Sequence, residues 1–191
     1  DIGAKNPLIE AFIAGAAENG VPRTDDFNGA QQEGAGYYQL TTWKGWRWST
    51  ATGYLKPARG RANLRIETDA QATGVVMEGK RAVGVRYRQG GVDKVAKAQS
   101  EVLLSAGAIQ SPQLLQLSGI GPAALLQKHG IPVVHDLPGV GENLQDHLQI
   151  RMIFEMNQRT TNDDLNSLFG QAKLGMQWFF KRSGPLAVGI N

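Results

Sequence analysis

The segment Ser105–Pro122, SAGAIQSPQLLQLSGIGP, carries three glycines, two prolines and three serines around a short apolar stretch. An ordinary core helix or strand does not need so many small and chain-turning residues. Ala106 and Gly107 offer almost no side chain, so a ligand could lie directly against their backbone. They follow Val102-Leu103-Leu104, a solid apolar run expected of a strand, over 101–105, buried on both faces. Open α/β sheets bind ligands just beyond the carboxyl ends of their strands, and Ser105, Ala106 and Gly107 fall at such an end. A tight strand-to-helix turn with nothing bound accounts for the same residues equally well. Residue types alone leave both readings open.

Other candidates for chemistry are weaker. GIGPAA, from Gly119, fits G-x-G-x-x-A, but what precedes it reads as a helix rather than the strand a dinucleotide loop requires. A helix-to-helix turn is the better reading. GVGENL and GAGYYQ lack the third small residue, so the phosphate-cradling loop is expected to lie outside this chain. His129, His135 and His147 lack metal-ligand spacing, and no metal site is expected. Asp146-His147 invites an acid/base reading, yet adjacent residues rarely face each other, which favours a structural role. No serine, base and acid combine into a nucleophilic site. No catalytic residue is assigned within the chain.

Composition narrows the classes. The chain has 191 residues, a formal net charge of +3 and no cysteine. Its length can bury a core. No basic run exceeds two residues, so the clustered lysines and arginines of a nucleic-acid surface are missing. No stretch approaches the roughly 20 apolar residues of a membrane span. The absence of cysteine rules out disulfides and thiolate metal sites without fixing a compartment. The chain starts at Asp1 and stops at AVGIN, and is expected to be a piece of something longer.

The elements that must position the turn can be read from periodicity. Asn6-Pro7 caps a helix through Leu8, Ile9, Phe12, Ile13 and Ala16, stopped by Gly20. Residues 21–57 have no clean period and hold Trp43, Trp46 and Trp48, which either cover a ligand or pack on themselves. NLRIET, TGVVMEG, RAVGVRYR and VDKVAKA alternate as strands, with a hairpin at Gly79-Lys80, giving an antiparallel meander over 63–97. Ser111 and Pro112 are expected to open the helix after the turn, and PAALLQKH forms the next one, ended by Gly130. Short strands are expected at Val133-Val134 and from Ile150. An amphipathic helix is expected over 163–182, with Leu165, Leu168, Ala172, Met176 and Phe179 on one face.

Gly107–Gly121, GAIQSPQLLQLSGIG, resembles the second signature of the glucose–methanol–choline oxidoreductases, flavin enzymes that oxidise alcohols. DFNGAQQEGAGYYQ, WSTATGYLKPA, NLRIETDAQATGVVMEGKRAVGVRY and LPGVGENLQDHL agree with the same family, and the likeness covers nearly the whole chain. Choline dehydrogenase-like members are the nearest in kind.

The resemblance implies a mixed α/β (α+β) fold: the middle of a Rossmann-like FAD-binding domain with an antiparallel β-meander, plus part of an α+β substrate domain. Residues 1–57 would be a helix and an irregular covering or substrate-side segment. Residues 58–146 would complete the FAD-binding domain, and 147–191 would begin the substrate domain. Ser105, Ala106 and Gly107 would lie against FAD, facing the flavin. The family position whose backbone meets the adenine falls at Ala72; it is often valine, so the smaller side chain changes packing there but not the backbone contact. The family's Gly-rich loop and catalytic histidine would lie outside this chain. The implied activity of the parent is oxidation of a primary alcohol, choline among the candidates, by hydride transfer to flavin, in the cytoplasm, with peripheral membrane association left open. The competing readings are a non-catalytic flavin- or nucleotide-binding module and a purely structural piece. The alcohol, the electron acceptor and the oligomeric state are not legible.

Overall fold

The computed structural model describes residues 5–187. In chain order its elements are α1 (Pro7–Glu18), β1 (Thr42–Trp43), β2 (Trp46–Arg47), a π turn (Ala51–Leu55) running into α2 (Lys56–Ala58), β3 (Ala70–Glu78), β4 (Arg81–Gln89), β5 (Val92–Lys97), α3 (Gly107–Leu117), β6 (Ile120–Gly121), α4 (Ala123–Lys128), β7 (His135–Asp136), α5 (Thr161–Leu165), α6 (Leu168–Lys181) and a closing 3-10 turn (Pro185–Ala187). It is a mixed helix-and-sheet chain with antiparallel strands, as the sequence implies. It divides into two compact units, one of residues up to 64 and from 152 on, the other of Arg65–Arg151.

In the first unit, Asn6 caps α1 by accepting from the Leu8 amide (2.9 Å), and Pro7 follows at the first helical position. Ile13 is the buried residue of that helix. The Trp-rich segment forms a two-residue hairpin, Thr42–Trp43 against Trp46–Arg47, turned at Lys44 and Gly45, both with positive φ. Trp178 on α6 donates its indole N–H to the Gly45 carbonyl (2.8 Å). The Arg182 guanidinium lies 4.2 Å from the Trp178 ring centroid and 4.7 Å from that of Trp46, a stacked cation that also ends α6 in the left-handed region.

Two expectations fail over residues 150–182. The helix over 163–182 is two helices, because Ser167 caps α6 by accepting from the Gly170 amide (2.9 Å). The buried face is Gly170 and Leu174, while Leu168, Met176 and Phe179 are exposed. A side chain at Gly170 would strike the Asp164 carbonyl, so the α5–α6 corner needs the glycine and sets the inward face. The strand from Ile150 is also missing: 150–157 has no ladder partner and Ile153 is exposed.

The second unit is built on a three-stranded sheet in the order β3-β4-β5, all antiparallel. The Gly79-Lys80 hairpin stands where expected, with Gly79 at φ +58°. The meander begins at Ala70, not at Asn63. Asp69 turns left-handed (φ +54°), and the Gln89 amide takes the Thr68 carbonyl (2.9 Å) and the Glu67 carboxylate (3.1 Å), so a side chain caps 67–68 where a ladder was expected. α3 lies against β3, and Leu126, Leu114, Val75 and Val140 are buried.

Three further corrections concern the chain after the sheet. Residues 101–105 are not a buried strand; none of the described strands pairs with them, and Leu103 is 78% exposed. An apolar run specifies a two-sided strand only where neighbours supply the ladder. α3 starts at Gly107, and Pro112 sits inside it. Ser111 caps from within, its hydroxyl accepting from the Ala106 amide (3.0 Å). The short strand is His135–Asp136, not Val133-Val134; it pairs in parallel with Ile120–Gly121, because the Gly119 carbonyl takes the Val134 and His135 amides. Asp136 then accepts from the Ala123 amide (2.9 Å), capping α4 where Pro122 has no side-chain acceptor.

Gly119 is left-handed (φ +82°), and a Cβ there would meet the Pro132 carbonyl. Gly119→Ala should lower stability by at least about 2 kcal/mol, seen as a lower Tm. Arg88 and Asp93 face each other across β4 and β5 and pair in two-pronged fashion (2.8 and 3.1 Å), which holds the Asp93 carboxyl below its ordinary 3.8. That contribution is complete above pH 3.8 and is lost as pH falls through the lower folded value. Acid titration of Asp93→Asn should therefore show a shallower loss of stability than the original chain, and added salt should narrow the difference at neutral pH.

Candidate functional site

Ala106, with φ −88° and ψ 10°, leads into α3 through Gly107 at φ +88°. This conformation needs glycine at 107, and the space where a Cβ would stand is open to 4 Å. The turn is held by the Ser111 hydroxyl on the Ala106 amide, not by a neighbouring strand.

On β3, the register slips between Ala72, opposite Tyr87, and Gly74, opposite Arg86. Thr73 is the extra residue of a bulge, which bends the strand beside Ala72. A Cβ on Gly74 would run into the Arg86 guanidinium at 2.6 Å, so that side chain lies over the glycine.

These two features meet. A cleft of about 90 Å³ is lined by Gln71 and Ala72 from β3, Ala106 from the turn, and Gln110, Gln113, Leu114 and Leu117 from α3. The structure thus brings Ala72 and Ala106 together, although they lie 34 positions apart in sequence. Ser105 and Gly107 flank Ala106 along the turn without lining the cleft. Nothing charged lines it. Three amide side chains, two alanines and two leucines suit a flat neutral ring with hydrogen-bonding edges and would not neutralise a pyrophosphate. Its volume is well below the roughly 300–1,000 Å³ that encloses a drug-sized ligand, so it takes one end of a large cofactor at most.

The three glutamines escaped the sequence reading. Gln110, Gln113, Leu114 and Leu117 recur at i, i+3, i+4 and i+7, one helix face directly after the small-residue turn, and that spacing was the available signal. A larger hollow of about 640 Å³ lies between α3 and the loop 139–145, which is tethered by the Gln116 amide donating to the Val140 carbonyl (3.0 Å). Among the described residues, no three His, Asp or Glu gather closely enough to hold a metal ion, and no helix is long and apolar enough to cross a membrane.

A family profile for GMC oxidoreductases matches residues 1–149. The chain belongs to the GMC oxidoreductase family. Its curated GMC relatives include the oxygen-dependent choline dehydrogenases of Chromohalobacter salexigens, 51% identical over 94% of this chain, and Yersinia pestis, 52% identical over 94%. The chain spans about a third, 32%, of the length of each. Among solved GMC-like structures, an FAD-dependent oxidoreductase from Chaetomium thermophilum superposes with a TM-score of 0.78 at 28% identity, over 98% of this chain and 33% of that one.

With no protein atom near the Gly107 Cβ position, Gly107→Ala should cost only backbone strain, about 1–2 kcal/mol. Denaturant unfolding of the unliganded chain checks this; a larger loss would mean a neighbour closer than the open space shows.

Proposed function

We propose that the full-length protein carrying this chain is an FAD-dependent oxidoreductase that oxidises a primary alcohol, choline first among candidates, to the aldehyde. The identity above 50% with choline dehydrogenases supports the substrate class. When bound, FAD accepts the hydride from the carbinol carbon; the protein's part is binding, orientation and electrostatics. In this reading 58–146 belong to the FAD-binding domain, and the base that takes the alcohol proton lies outside this chain. That these relatives are called oxygen-dependent makes oxygen the acceptor to test first. A cytoplasmic location is part of the same proposal.

The observation that carries the site assignment is the shared cleft of Ala72 and Ala106. Isoalloxazine and adenine occupy opposite ends of FAD, so two residues in one small cleft serve the same end. The uncharged, amide-edged walls favour adenine. In this reading Gln71, Gln110 and Gln113 offer amide edges to its ring nitrogens, and Ala72 and Ala106 let it lie near the backbone. Gly107 and Ser105 continue the turn toward the rest of the dinucleotide. This assignment moves the turn from the flavin, where the family resemblance first put it, to the adenine end.

The full-length protein should purify with a flavin absorption spectrum and consume oxygen on addition of choline, while the 191-residue chain with added FAD should show no turnover above a heat-killed control. Activity of the chain alone would overturn the placement of the base. Gly107→Val in the full-length protein should lower flavin content while circular dichroism stays native. Full occupancy in a well-folded variant would leave the turn a purely structural corner.

A further inference from the structure

Ser118 is the one buried polar residue among the described residues, 7% exposed, at the C-terminal cap of α3. Its hydroxyl donates to the Leu114 carbonyl one turn earlier (2.5 Å) and accepts from the Val75 amide on β3 (2.7 Å). β3 is an outer strand of its sheet, so this hydroxyl does for Val75 what a neighbouring strand would do. Among the described residues no other side-chain hydrogen bond joins β3 to α3.

The two groups it ties belong to the two walls of the cleft. Leu114 lines the cleft from α3; Val75 stands three residues beyond Ala72, just past the bulge at Thr73. The bulge gives β3 a local freedom that a regular ladder would remove. Something must therefore set how far the Ala72 backbone stands from α3, and Ser118 is the group that spans the gap.

We propose that Ser118 is a positioning residue for the adenine end of the cofactor, fixing the width of the Ala72–Ala106 cleft without touching the ligand. This rests on the adenine reading of the cleft. Removing the hydroxyl strands the buried Val75 amide, which can regain a partner only by shifting β3 toward water, and that shift opens the cleft. The isoalloxazine end, lying away from this cleft, is spared.

The test uses the full-length protein stripped of FAD and titrated calorimetrically with ADP, a probe of the adenine end, and separately with FMN, a probe of the other. Ser118→Ala should weaken ADP at least about tenfold, the cost of one lost buried hydrogen bond, and leave FMN unchanged. Ser118→Thr, which keeps the hydroxyl, should restore ADP affinity. If Ser118→Ala does not fold, Ser118→Cys, close in volume and a poor acceptor, takes its place with the same expectation. ADP affinity equal to the original in a folded variant, or equal losses for ADP and FMN, overturns the positioning role while the adenine reading stands. An original protein that binds FMN but not ADP overturns the adenine reading, and this inference with it.

Discussion

An edge strand with a buried stretch must find partners for its amides there without a neighbouring strand to supply them, and the unit Arg65–Arg151 is arranged around that need. β3 has β4 on one side only. Leaving the amide of Val75, itself 5% exposed, unpaired would cost about 1–3 kcal/mol. The answer is a hydroxyl at the end of α3, which dictates where the helix stops and which face it turns to the strand. The left-handed Gly119 then lets the chain leave at once, its carbonyl receiving Val134 and His135. With its far end anchored so, α3 begins beside Ala72, and the cleft follows from the anchoring.

Charge is distributed to match. The ion pairs sit on exposed surface: Arg88 with Asp93 across two strands, Arg23 with Glu10, and Arg159 with Asp164. Such pairs contribute little to stability. The cleft has amides in place of charges, which keeps its walls free of the desolvation a buried ion would demand. In the other unit the Arg182 guanidinium is held by aromatic faces.

The sequence was most legible where local rules act alone. The Asn6-Pro7 cap, the Gly79-Lys80 hairpin, the alternating strands between Thr73 and Lys97 and the stop at Gly130 all stand as read, because capping, turn chemistry and period-two alternation need no distant partner. It failed where the outcome depends on what an element packs against. Val102-Leu103-Leu104 reads as a core strand, yet no described strand lies beside it. Pro112 reads as a helix start, yet Ser111 reaches back to cap a helix that began five residues before the proline. The α6 face was misread because Gly170, invisible to hydrophobic periodicity, decides the close approach to α5. Of the candidate site, the turn was found through its small residues, and Ala72 through family likeness. Gln110 and Gln113 were missed because polar residues at helical spacing resemble an ordinary solvated face, and Gln71 because a lone polar strand residue reads as solvent-facing.

Residues 101–105 carry a cost of their own. A segment with apolar side chains that pairs with none of the described strands leaves its backbone groups open to another strand, including one from a second molecule. Glu101 before the run and Ser105 after it act as polar gatekeepers, but Leu103 between them stands in water. Solubility of the isolated polypeptide thus turns on apolar side chains it leaves uncovered, Leu103 here and Leu148, Ile150 and Ile153 further along, as much as on its small core.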